Sequence, residues 1–91
     1  YFGTAGTHAI NASLYRSLPF DVVRDFTPIA HLGDVPNILT TSPERRPNLT
    51  DCAALLAAAR ANPGRLNFAS TGNGASTHLA GAQFTNAAGI E

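Results

Sequence analysis

The sequence predicts an α/β fold in which parallel strands alternate with helices. Two observations carry that prediction. Short apolar runs feed glycine turns, and the turns open onto segments with apolar residues at helical spacing. The same order occurs near both ends of the chain, at residues 1–18 and 65–88.

Residues 1–7 read as the end of a strand passing into a Gly/Thr turn. Thr7 is the expected N-cap of a helix on which Ile10, Leu14 and Leu18 recur until Pro19 stops it. Residues 19–26 form a connector with one helical turn. Residues 27–33 and 36–41 are expected to be extended, and the prolines within them argue for edges or a crossover rather than a central strand. Residues 42–47 are a proline-punctuated loop in which Arg45 and Arg46 make a solvated face.

Thr50 is the expected cap of a helix from Asp51 to about Ala61, with Leu55, Leu56 and Ala59 on its buried face and Arg60 in its last turn. Asn62, Pro63 and Gly64 end it. Residues 65–70 then form a short strand that runs into Thr71, Gly72, Asn73 and Gly74, and Ser76 or Thr77 caps a last helix carrying Leu79, Ala80 and Phe84. Gly89 supplies the stop.

Composition narrows the chemistry. Charged residues make up 13% of 91 residues and the formal net charge is zero, so there is no basic patch for a nucleic-acid partner. A domain this small buries only about 60–65% of its unfolded surface, which leaves a thin margin of stability. No run approaches the ~18 apolar residues of a membrane span. The chain starts at Tyr1 and contains no Met, which predicts a piece of something longer. Cys52 is the one cysteine and reads as a small apolar residue in a helix's first turn.

The glycine turns are where function is expected. The first turn of a helix carries unpaired N–H donors and the positive end of the macrodipole, so it can hold a carboxylate or phosphate without a basic side chain. Hydroxyls of Ser70, Thr71, Ser76 and Thr77 would add donors. The same turns are also ordinary connections between strands and helices. Sharper motifs fail on inspection. Thr77 stands where a dinucleotide fingerprint needs its third glycine, and the chain has no Lys for a phosphate loop. His8, His31, His78 and Cys52 lie at no recognised metal-ligand spacing, so no metal or other cofactor is expected. Ser76 or Ser70 with His78 gives an alternative reading as a small-molecule serine hydrolase, but no nucleophile-elbow pattern surrounds either serine. The roles expected for His8 and His78 are to orient their loops by hydrogen bonds.

One resemblance is specific. Gly6-Thr7-His8-Ala9-Ile10-Asn11 with Leu14-Tyr15, then Leu18-Pro19-Phe20-Asp21, Arg24-Asp25-Phe26-Thr27-Pro28, Asn62-Pro63-Gly64, and Ala69-Ser70-Thr71-Gly72-Asn73-Gly74 through His78-Leu79-Ala80-Gly81 resemble the tripartite tricarboxylate transporter receptor family, the Bug-type periplasmic solute-binding proteins. The similarity runs over essentially the whole chain.

The resemblance implies a non-enzymatic, periplasmic receptor with a type II periplasmic-binding-protein fold, of which this chain is roughly a third. A small organic carboxylate would sit between two lobes and pass to membrane transporter subunits. Residues 1–30 would belong to the first lobe, 31–41 to the crossover and 42–91 to the second lobe, leaving both lobes incomplete. Carried over by position, Thr4, Gly6 and Thr7 would contact ligand from the first turn. Ser70, Gly72, Asn73, Gly74, Ala75, Ser76 and Thr77 would do so from the second. The family's N-terminal strand and its later strands have no counterpart here, so the exposed edges are expected to favour self-association or domain swapping.

Overall fold

A computed structural model describes residues 1–91. Regular structure begins with a π-helical stretch, Ala5–Ile10, which runs directly into α1, Asn11–Leu14; α2 is Cys52–Ala61 and α3 is Ser76–Ala88. The caps explain where each begins. Thr4, not Thr7, caps the first segment: the Thr7 N–H reaches Thr4 Oγ1 and the Thr4 N–H reaches Thr7 Oγ1, a reciprocal capping box. Asp51 rather than Thr50 caps α2, its Oδ1 accepting from the Ala54 N–H at 2.7 Å. At α3 the N-cap position falls on Ala75, whose side chain has nothing to offer, so the expected caps Ser76 and Thr77 lie inside the helix.

Helix ends follow equally local causes. Gly89 adopts a left-handed conformation, φ 62°, with its own N–H on Asn86 O and the Ile90 N–H on Thr85 O, a Schellman closure. α1 stops at Tyr15, which is already extended, well before Pro19. Just after Pro19, Asp21 organises the expected single turn by accepting from the N–H groups of Val23 and Arg24.

No strand forms anywhere in the chain, which corrects the expected α/β layer of parallel strands. The cause is pairing. A strand exists through hydrogen bonds to a neighbouring strand, and the extended runs at 27–41 and 65–70 find none among these residues. The chain makes 33 backbone–backbone hydrogen bonds, where a closed fold of this length would hold about 60.

The same deficit appears in packing. Two residues, Ala59 and Gly74, are buried. The radius of gyration is 16.9 Å, against about 12 Å for a compact 91-residue domain. The accessible surface is 7689 Å², against about 5000 Å² for a folded chain of this mass. Residues 27–41 are the extreme case, with Ile29 97% and Val35 92% exposed. Contacts between distant parts of the chain include three that bear on the glycine turns and the helices. Leu14 at the end of α1 packs on the Gly74 turn; Asn37 Nδ2 donates to Ser76 O at 3.4 Å; and Arg60 Nη2 donates to Ala88 O, also at 3.4 Å, at the negative end of α3.

Candidate functional site: two threonine-histidine turns

Both glycine turns share one internal arrangement. In the first, the Thr4 N–H donates to Thr7 Oγ1 at 2.9 Å and the two threonine hydroxyls stand 3.3 Å apart. In the second, the Thr71 N–H donates to Thr77 Oγ1 at 3.1 Å and those hydroxyls stand 2.9 Å apart. Each downstream threonine is followed by a histidine: His8 Nδ1 lies 2.8 Å from Thr7 Oγ1, and His78 Nδ1 accepts from the Gly74 N–H at 3.2 Å. The loop-orienting role expected of both histidines is the one their hydrogen bonds give them.

Aromatic rings back each histidine. His8 meets Phe26 edge-on at a centroid distance of 4.8 Å and Tyr1 at 5.3 Å, while Phe68 lies nearly parallel to His78 at 6.4 Å. Two glycines make room for these rings. A Cβ on Gly3 would stand 2.7 Å from the His8 ring, and one on Gly81 would stand 2.5 Å from Phe68.

The second turn takes its shape from glycine. Gly72 and Gly74 have φ of 138° and 77°, values that other residues adopt only with strain. Gly74 is buried and a Cβ on it would collide with Leu14 Cδ2. Ser70 Oγ sits within 3.5 Å of both polar backbone atoms of Gly72, and the Ala75 N–H closes onto Gly72 O. The donors of Thr71, Gly72, Gly74 and Ala75 are thus used internally. Those of Ser76, Thr77 and His78, the first turn of α3, are left open. In the first turn the Thr7 N–H is taken by Thr4, and the N–H groups of Ala5 and Gly6 remain open.

Of the expected site residues, Ser70, Gly72, Gly74, Ala75, Ser76 and Thr77 form one continuous hydrogen-bonded turn with Asn73 at its tip, and Thr4, Gly6 and Thr7 form another. The two are joined through Leu14 at the end of α1, which meets Gly74, and through the π-helical stretch Ala5–Ile10, which also contacts α3. Two clefts lie away from both turns, one between the C-terminal ends of α2 and α3 and one beside residues 45–49. No serine hydroxyl bonds to His78, whose Nδ1 is occupied by Gly74, so the Ser76 or Ser70 pairing of a hydrolase is not assembled. Sequence reasoning missed Asn37, Leu14 and Phe68 as partners of the turn. A proline-flanked Asn and the apolar Leu14 carry no local signal of partners some 40 and 60 residues distant, and Phe68, ten residues before His78, reads locally only as part of an apolar run.

Comparison with known proteins gives a consistent result. Residues 3–91 match the family described as tripartite tricarboxylate transporter family receptor. The chain is 38% identical over 82 residues to the UPF0065 protein in the tcbD-tcbE intergenic region of Pseudomonas sp. strain P51, a match covering 90% of this chain and 24% of that protein. It is likewise 38% identical over 71 residues to Protein BugT of Bordetella pertussis, covering 78% of this chain and 21% of that one. The match thus spans about a quarter of the length of these curated relatives. No solved structure matches.

Proposed function

The chain belongs to the tripartite tricarboxylate transporter receptor family, and from that membership we propose that it forms part of a periplasmic receptor, not an enzyme, that binds a small organic carboxylate and delivers it to membrane transporter subunits. The observation that carries this reading is the open N–H triplet of Ser76, Thr77 and His78 at the start of α3. Donors in a helix's first turn, held by a turn in which the N–H groups of Thr71, Gly72, Gly74 and Ala75 are already satisfied, suit an anion. The hydroxyl of Ser70 lies against Gly72 in the turn that leads into this triplet.

Residues 1–30 and 42–91 then supply parts of the two lobes and 31–41 the crossover, within a type II periplasmic-binding-protein fold whose sheets are completed by other strands of the receptor. Asn37, bonded to the first residue of α3, supports placing the crossover beside the ligand turn. Thr4, Gly6 and Thr7 face the ligand from the other lobe when the receptor closes. None of the chain's helices is long and apolar enough to cross a membrane, in keeping with delivery to the transporter by docking.

A single substitution tests the site. Ser76→Pro deletes one open donor, yet proline is favoured at the first helical position, and Ala75 before it already has the extended backbone, ψ 157°, that proline requires. In the intact receptor, a panel of mono-, di- and tricarboxylates screened by thermal shift identifies a binder. Ser76→Pro is expected to weaken that binder roughly tenfold or more, the worth of one hydrogen bond to a charged group, with the unliganded melting temperature kept. Unchanged affinity would remove α3 from the site.

A further inference from the structure

His78 and His8 occupy matching places in the two turns, but their hydrogen bonds differ in one chemical respect. Thr7 Oγ1, the partner of His8, is a hydroxyl that can donate or accept. When His8 gains a proton, Thr7 Oγ1 can accept from Nδ1–H and turn its own proton to Thr4 O, 3.2 Å away. The partner of His78 has no such freedom. The Gly74 N–H can only donate, so the bond exists only while Nδ1 is bare, with the ring's proton on Nε2.

We propose that His78 is a pH-sensitive positioning residue that latches the Gly72–Gly74 turn through the Gly74 N–H, so that its protonation unlatches the turn and weakens ligand binding at α3. Imidazolium would set Nδ1–H against the Gly74 N–H, a donor whose one bond is to Nδ1 and whose backbone is held at φ 77° under Leu14. The groups placed against His78 are the Phe68 ring and the Gly74 backbone. The π-helical stretch, which also contacts α3, carries His8, whose Nδ1 bonds to Thr7 Oγ1; no charged or titratable side chain bonds to His78 from there, α1, the crossover or α3, and the chain's ion pairs, Arg24 with Asp25 and His31 with Asp34, lie elsewhere. Nothing therefore compensates the added charge, and a proton is coupled to one backbone bond. The link to ligand affinity rests on the carboxylate-binding reading; the latch itself does not.

The test uses the intact receptor labelled with 15N-glycine and 15N-histidine, titrated from pH 8 to 5. At neutral pH the His78 ring is expected as the Nε2–H tautomer. The Gly74 amide resonance should move with the midpoint of the His78 ring, and its exchange protection should fall roughly fivefold, the net worth of one hydrogen bond. In His78→Asn, whose Oδ1 can accept in place of Nδ1, the Gly74 amide should stay protected and lose its titration; in His78→Phe it should be unprotected at every pH. A Gly74 amide indifferent to pH, or one titrating identically in His78→Asn, overturns the proposal. Citrate affinity across the same range, taken as the ratio of wild type to His78→Asn at each pH so that citrate's own ionisation cancels, separates the two readings. A titrating Gly74 with that ratio independent of pH upholds the latch and overturns its coupling to the site.

Discussion

At the scale of single residues, Gly74 is the most constrained position in the chain. Its backbone is left-handed and the space where a side chain would begin is taken by Leu14. Gly74→Ala should destabilise the receptor by about 2 kcal/mol or more, from strain and overpacking acting together, and denaturant titration would measure it. A loss below ~0.5 kcal/mol would mean that Leu14 moves aside freely. Part of this was legible beforehand, since glycines bracketing Asn73 announce a turn and two Thr-His pairs beside glycines announce hydrogen-bonded loops. The rest was not, because Leu14 and Asn37 gain their meaning from three-dimensional neighbours that no local pattern encodes.

Helices were legible as elements because what makes them is local. Alanine-rich periodicity, Asn62-Pro63-Gly64 and Gly89 specify α2 and α3 within one or two residues, with the errors there and at Thr4 lying in the caps, where Thr4, Asp51 and Ala75 take the places expected of Thr7, Thr50 and Ser76; the first helix also ends at Leu14, short of the expected Leu18, and begins as a π-helical stretch. Strands failed for the complementary reason: an apolar run such as 65–70 becomes a strand only when another strand lies beside it. Asp51→Ala is expected to cost α2 about 1 kcal/mol by freeing the Ala54 N–H, read as a lower melting temperature. Asp51→Asn should recover most of it, whereas an equal loss in both would assign the effect to the macrodipole rather than to the cap.

Across the whole molecule, the extended runs and their side chains ask for more partners than 91 residues contain. Ile29, Leu32, Val35, Ile38 and Leu39 stand exposed on a segment without regular structure, and the burial of Ala59 and Gly74 does not make a core. Isolated, this stretch is expected to associate with further copies of itself through those runs. Sedimentation velocity across a hundredfold concentration range should show a rising mass, and a constant monomer would show that the runs are shielded. Arg45 and Arg46, exposed in the loop ahead of α2, carry no structural role that their surroundings explain.

The seat of Leu14 on Gly74 closes a loop of about 60 residues, and closing one that long costs about 3.6 kcal/mol in chain entropy. Leu14 stays 40% exposed, so its contact returns only part of the roughly 1.5–3 kcal/mol that full burial of a leucine side chain would contribute. The contact alone therefore does not offset the closure cost, and it acts as a clasp that thermal motion can undo. A small bias from any third party, a solute in the turn or a neighbouring lobe against α1, is enough to decide whether it is fastened.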